Sequence, residues 1–486
     1  MSKQIIIIGA GIAGLTAGIY ARRSGFEVTI LEQHSIPGGM CTSWKRKGYL
    51  FEGAMHWLTG SSPKTEAYQM WTDTGALDND TPVFLYDPFR SVQQNGQIIN
   101  LYRDVDKTVE HLRAVSPEDE PLLLKLAKDV KKLSKMQMPV FDVKGVKAEH
   151  PKRMKPGFLL KMLPALPVIS RLSKISCEDW AMRFKHPGLQ RLFRIVPGYA
   201  ANSAVFTLAT LHTGDGGYPE GGSLAMAARM AKTFTDLGGR LLLNTKVQKV
   251  NIRDDKATGV TLADGTLDAD AVIVTQETIA ALDKLFDTPP QDEWLRELRK
   301  IVKPAVCTFV SVGVRAELPD HSLPEWKLDT PVTYAGKMIS EISFNSYRRY
   351  APEGGTALTA FLDGDTYAFW ETAKNEGRYD AEKQAIADQI SRVLCAKYPQ
   401  CEGKIEVIDI ATPLTYERYT GAFHGSWMSV TEPGDKLKQF PGACESTGGL
   451  YFAGHRMMLP GGLPSAAASG RQAAQLVCRQ FDVVFR

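Results

Sequence analysis

Near its start the chain reads Gln4-Ile5-Ile6-Ile7-Ile8-Gly9-Ala10-Gly11-Ile12-Ala13-Gly14, and the switch there from an apolar run to spaced glycines decides the fold. Successive isoleucines read as a strand buried on both faces. Gly9 permits the tight turn out of the strand, Gly11 lets a pyrophosphate approach the backbone, and Gly14 lets the following helix lie close to the sheet. Ala10, Ile12 and Ala13 complete that turn. A helix is expected from Ile12 to Ser24, ended by Gly25, with a second strand from Glu27 to Leu31. Glu32 stands 21 positions after Gly11, where a carboxylate accepts hydrogen bonds from a ribose 2′-hydroxyl. Strand, glycine turn, helix and acid in this order predict a dinucleotide site whose phosphates face a helix N-terminus.

Near the other end of the chain, Gly449-Leu450-Tyr451-Phe452-Ala453-Gly454 and Gly461-Gly462-Leu463-Pro464 belong to the same site, followed by an Ala-rich helix from Ser465 to Arg479. In the middle, Gly238-Gly239 leads into strand-like runs at Leu241–Leu243, Val247–Arg253 and Ala257–Leu262, with a turn at Asp254-Asp255. Asp264-Gly265 turns again, and Asp270–Thr275 reads as one more buried strand. Nucleotide-domain signals therefore fall at 1–75, 215–300 and 440–486. Residues 76–214 and 301–439 are left for a discontinuous α+β substrate-binding domain, with a helix at Asp380–Tyr398 and strands at Val306–Val314 and Gly355–Asp363. The expected class is α/β, a Rossmann-type domain joined to that second domain, with the cleft at their junction.

Ser35-Ile36-Pro37-Gly38-Gly39-Met40 is not how a simple nicotinamide dehydrogenase continues after its acid. Taken with Glu52–Gly60, Tyr218–Leu224, Thr412–Thr415 and Arg418–Gly421, it resembles the large FAD-dependent oxidoreductase superfamily. Within that superfamily the chain is similar, end to end, to the phytoene desaturase, carotenoid isomerase and retinol saturase group. The resemblance implies FAD, held by Gly9, Ala10, Gly11, Ile12, Ala13, Gly14, Glu32, Gln33, Gly38, Gly39, Met40, Thr275, Gly454, Gly462, Leu463 and Pro464, with the Val247 backbone at the adenine edge. It departs at one point: a basic residue often found before the paired glycines, or an Arg after them, is here Pro37 and Met40.

The same resemblance places His56 and Trp57 near the flavin ring, where His56 is suited either to shuttle a proton at neutral pH or to a satisfied structural role. Arg418 and Tyr419 are candidates for the cleft, and Arg418 equally for an ion pair between domains. Flavin chemistry at carbon needs few acid or base residues, and no triad or carboxylate pair stands out. The activity implied is desaturation, saturation or isomerisation of double bonds in a long apolar polyene or isoprenoid lipid. An amine oxidase and a non-catalytic isoprenoid-lipid carrier are alternatives on the same fold.

A chain of 486 residues, 44% hydrophobic, has material for two or three domains, and it contains no run long enough for a transmembrane helix. The N-terminal apolar run is too short for a signal peptide and continues into the glycine turn. Seven cysteines without a CxxC pair imply reduced thiols, a cytoplasmic setting and no metal site. The net charge of +4 is unevenly spread, since Lys125–Lys174 holds thirteen Lys and Arg against Asp129, Asp142 and Glu149. Within this basic 125–175 region, Phe158, Leu159, Leu160, Met162 and Leu163 lie among Lys155 and Lys161, a composition suited to peripheral contact with a membrane surface. Packing on its own domain is the competing reading. Nucleic acid is not expected, for no aromatic-interleaved basic motif accompanies the charge. Nothing in the pattern signals an oligomeric state.

Overall fold

A computed structural model of the chain describes residues 2–136, 140–153, 157, 160 and 162–486. Strand β1 (Gln4–Ile8), helix α1 (Ile12–Arg23) and strand β2 (Glu27–Leu31) follow one another as the glycine pattern predicts. β1 is the central strand of a five-stranded parallel sheet in the order Leu450–Phe452, Ala271–Val274, β1, β2, Arg240–Leu242. Ile5 and Ile7 point into one core, and Ile6 and Ile8 into another on the opposite face. That two-sided burial is why the run is apolar without alternation.

The first face carries α1, packed between the helix Gly222–Asp236 and the C-terminal helix Leu463–Gln480. Their backbones come very close. A Cβ on Gly470 would sit 2.3 Å from the Ala13 carbonyl oxygen, and one on Gly18 would sit 2.8 Å from the Ile30 side chain. The C-terminal helix is buried on nearly every side, more fully than a single apolar stripe would give, because α1 and the sheet enclose it. On the other face lie the hairpin Lys249–Arg253 and Lys256–Leu262 and the helices Thr278–Lys284 and Glu293–Ile301. Asp254 and Asp255 both have positive φ at the hairpin turn. The strand expected from Val247 starts instead at Lys249, since the Asn244 and Thr245 amides donate to the His34 and Glu32 carbonyls and draw the preceding loop to the end of β2.

A second, antiparallel sheet has the order His321–Ser322, Asn345–Tyr347, Thr356–Asp363, Cys307–Val314, Ile405–Ala411, and the helix Tyr379–Lys397 shares its core. Residues 90–212 add the hairpin Arg90–Gln94 and Gln97–Leu101 with the helices Val105–Val115, Glu120–Leu133 and Ala201–His212 around a third core.

The basic region divides. Residues 140–153, expected with the substrate part, lie against the C-terminal helix, where Asp142 accepts from Arg471 and from Gln475, each at 2.6 Å. The reason is electrostatic: Arg471 is buried and needs a counter-charge. Phe158, Leu159, Lys155 and Lys161 lie outside the described residues, while Leu160, Leu163 and Leu166 are exposed. Among the described residues no helix is long and apolar enough to cross a membrane. All seven cysteines are unpaired.

Candidate active site

Two glycines of the first turn, Gly9 and Gly14, are each placed by a neighbour that leaves no room for a side chain. Gly9 has φ +102°, and a Cβ there would approach Thr275 Oγ1 to 2.9 Å; one on Gly14 would lie 2.0 Å from the Gly9 carbonyl. Thr275 Oγ1 sits 2.8 Å from the Ile8 carbonyl and 3.0 Å from that of Gly9, and so locks the strand end. The second turn rests on the first. The Gly38 N–H donates to the Ala10 carbonyl at 2.8 Å, and a Cβ on Gly39 would touch the Gly11 Cα at 3.4 Å.

Glu32 is buried, with Oε2 accepting from the Ala10 N–H at 2.7 Å and Oε1 from the His34 N–H at 2.8 Å. It thereby braces the glycine turn against β2 while its edge remains on the cavity wall. A carboxylate has about four lone-pair positions, so two amides leave capacity for a ribose hydroxyl.

These groups open onto one cavity of about 1580 Å³. Two helices start at its wall without side-chain caps: α1 after Gly11, and the C-terminal helix after Gly462. Their first-turn amides and dipoles favour an anion there, which matters because Pro37 and Met40 bring no positive charge. Gly9, Gly11, Ile12, Ala13, Glu32, Gln33, Gly38, Gly39, Met40, Val247, Thr275, Gly454, Gly462, Leu463 and Pro464 all line this cavity. Ala10 and Gly14 sit behind the wall as its backbone support. No atom lies within 4 Å of a Cβ position on Gly454, and around that on Gly11 only the Gly38 carbonyl does, at 3.9 Å. The two glycines therefore face open space shaped for a ligand.

Trp57 lines the same cavity edge-on to Phe89, with centroids 5.4 Å apart. His56 lines it too, its ring edge-on to Phe361 and its Nδ1 3.1 Å from the Asn345 side-chain amide. Burial, and after it the neighbouring His321, lowers the His56 pKa to about 4. The imidazole is therefore neutral at pH 7, the form that can accept a proton. Its Nε2 is buried without a hydrogen-bond partner among the described residues. Arg418 and Tyr419 are exposed at the rim. The guanidinium lies over the Tyr419 ring, 4.7 Å from its centroid, and Tyr419 stands against His34 and Gln33, beside the end of β2. Arg418 makes no ion pair with a described residue, so the interdomain pair read as its alternative is absent from them.

Sequence reading missed His321, Asn345, Tyr199, Phe361 and Asp363, which also line the cavity. The strands Cys307–Val314 and Thr356–Asp363 were legible, but they are almost wholly buried. Without alternation, nothing in their composition marks the residues that meet the cleft. His455, next to Gly454, is a further half-buried group on the wall, pushed down to about 3 by desolvation and by Arg456.

A parallel sheet with two uncapped helix starts and a braced acid around one cavity, continued by an antiparallel half, is the architecture of a two-domain flavoprotein. The chain belongs to the flavin containing amine oxidoreductase family, whose sequence profile matches residues 12–478. It is 28% identical to a phytoene desaturase (lycopene-forming) from Paracoccus sp., over 98% of this chain and 97% of that protein. It is 24% identical to prolycopene isomerase 1 of an Oncidium hybrid cultivar, over 98% of this chain and 84% of the other. Among solved structures it is similar to putrescine oxidase bound to putrescine, with TM-score 0.59 and 16% identity over 98% and 99% of the two chains. Cyclohexylamine oxidase from Brevibacterium oxydans gives TM-score 0.59 at 15% identity, over 99% of this chain and all (100%) of that one. The cofactor is FAD, and the protein is an FAD-dependent oxidoreductase.

Two outcomes are expected. Glu32→Ala strands the Ala10 and His34 amides, a loss of about 1–3 kcal/mol for each buried group, and the purified variant should carry much less FAD, read from its blue absorbance. Wild-type FAD content in that variant would remove Glu32 from the site. The second concerns pH. Because the folded His56 pKa of about 4 lies below the unfolded value of 6.5, the unfolded chain binds the extra proton between them. Stability is thus full above pH 6.5 and falls towards pH 4, with His56 contributing on the order of 3 kcal/mol. Urea unfolding of His56→Gln should show a shallower acid slope than the wild type, and equal slopes would refute the assignment.

Proposed function

We propose that the protein desaturates, saturates or isomerises carbon–carbon double bonds of a long apolar polyene or isoprenoid lipid. The observation that carries this reading is the apolar continuation of the cofactor cavity. At about 1580 Å³ the space exceeds the roughly 300–1,000 Å³ that holds a drug-sized ligand, and part of its wall is apolar. Trp57, Phe89, Ile195, Val196, Phe206 and Phe361 belong to that part. The names of the phytoene desaturase and prolycopene isomerase relatives support the same substrate class.

Bound FAD supplies two-electron chemistry at its ring. The chain's own part is to orient the substrate and keep water out. Aromatic and aliphatic walls hold an extended apolar chain and exclude solvent. Neutral His56, held at Nδ1 by Asn345, adds no charge beside that chain. The uncapped helix start at Gly462 favours negative charge near it.

Such a lipid needs a route from a membrane, and we extend the proposal to peripheral membrane contact. Leu437 is 71% exposed and lines the cavity, as do Met136 and Ile169 from the helical part that exposes Leu160 and Leu163. Nearby cations add about 1 kcal/mol each towards anionic headgroups.

Purified holoenzyme should change flavin absorbance with an apolar polyene in detergent and release no peroxide with small amines under air. Peroxide from an amine, as the fold shared with the two amine oxidases allows, would overturn the lipid reading. Flotation with anionic liposomes should be lost in the double variant Leu160→Asp, Leu163→Asp; unchanged flotation would remove the membrane surface from the account.

A further inference from the structure

Several buried polar atoms on the cavity wall meet no partner among the described residues: His56 Nε2, His321 Nε2, His455 Nδ1, Trp44 Nε1 and the Tyr199 hydroxyl. At His56 the surroundings also fix where the ring lies. Glu52, fully buried at the end of its strand, accepts from the Ala54 and Met55 amides at 3.0 and 3.1 Å and so sets the backbone that leads into His56. The second sheet supplies the other side. Asn345 stands opposite Thr359 in the antiparallel register, so Asn345 and Phe361, two positions beyond Thr359, share one sheet face. His56 meets both. Its ring is edge-on to Phe361, with centroids 5.0 Å apart, and its Nδ1 lies 3.1 Å from the Asn345 side-chain nitrogen.

The contact with Asn345 places a proton on the far side of the ring. An amide nitrogen carries hydrogens and offers no lone pair, so it donates and Nδ1 accepts. A neutral imidazole has one N–H and one lone pair, and the bond made by one nitrogen settles the state of the other. With the pair used at Nδ1, the hydrogen is on Nε2. Burial keeps the ring in that neutral form at pH 7. Nε2–H is then a buried donor on the cavity wall with nothing among the described residues to receive it. Buried donors in folded proteins are ordinarily bonded, so the acceptor is supplied by what fills the cavity.

We infer that Asn345 is a positioning residue: by donating to Nδ1 it fixes neutral His56 as its Nε2–H tautomer, and so presents the cavity with a hydrogen-bond donor for an acceptor atom that carries no proton, such as a carbonyl oxygen. The FAD ring carries such oxygens and an oxidised lipid can carry one, and either source satisfies the same donor. A proton arriving from the cavity finds no lone pair at Nε2. His56 in this form therefore orients a ligand and does not act on it as a base. A protonated amine, which only donates, gains nothing there. The assignment belongs to the FAD cavity itself and stands apart from the lipid reading.

The test is NMR of FAD-loaded protein isotopically labelled at the histidine nitrogens, with His56→Gln identifying the His56 signals. A proton on Nε2 with Nδ1 bare is expected; the reverse overturns the inference without any change at Asn345. The Nε2–H signal should move downfield when the flavin is reduced anaerobically with dithionite, if the cofactor is the acceptor, or on adding geranylgeranial, a proton-free acceptor on an isoprenoid chain, if the lipid is. A signal that answers to neither overturns the ligand contact. Asn345→Asp, whose carboxylate accepts from Nδ1–H, should take the proton off Nε2 and abolish that downfield movement, an unchanged flavin spectrum showing that the variant is folded. Retention of Nε2–H in the Asp variant overturns the role of Asn345. A response to reduction with no binding of the aldehyde supports the donor and counts against the lipid reading alone.

Discussion

Backbone lies directly on backbone where the Gly9–Gly14 turn meets Gly38, Thr275 and the C-terminal helix, and the rest of the site depends on that closeness. A side chain at Gly14 or Gly470 would push against a carbonyl oxygen at 2.0 or 2.3 Å. With glycine in those places, α1 settles against the sheet and the C-terminal helix settles against α1. Two helix N-termini from opposite ends of the chain then open onto the same cavity. Separating any pair of these backbones would widen the cradle and spread the amides that face the cofactor.

Buried charge fastens the long-range assembly. Glu277 accepts from the Ile279, Ala280 and Phe423 amides and pairs with Arg456, so one carboxylate ties a helix start, the 423 segment and the residues after Gly454. Asp142 does the same for the 140–153 segment through Arg471 and Gln475. Pairs of this kind add little net stability over apolar packing, yet removal of either partner leaves an uncompensated charge. Their effect is to fix which distant segments meet.

Electrostatics also divides the cavity by task. The cofactor end is rich in backbone N–H groups and helix starts, whereas the far end is apolar and holds its imidazoles neutral: burial brings both His56 and His321 to about 4. An anionic cofactor is matched by the half that carries the helix starts. The same burial leaves the His56 Nε2 and the Tyr199 hydroxyl without partners among the described residues.

How much was legible beforehand follows from the range of the interactions. β1, α1, β2 and Glu32 were readable because a buried strand, a glycine turn and an acid at fixed spacing are local in sequence, and the structure starts and ends these elements within a residue of the pattern. The hairpin at Asp254-Asp255 and the helix Tyr379–Lys397 were readable for the same reason. Asp363, Tyr199, His321 and Asn345 were not, for they come from a loop and three strands that carry no motif and reach the cavity only when residues far from the glycine turn close around it. The neutrality of His56 and the docking of residues 140–153 on the C-terminal helix were equally hidden. The sequence by itself determined the nucleotide fold, since local sterics of glycine and strand burial specify a dinucleotide site, while its resemblance to the FAD-dependent group supplied the cofactor. Tertiary structure alone decided which polar groups face the apolar arm and in what charge state, because desolvation and register arise only when distant segments close around the same space.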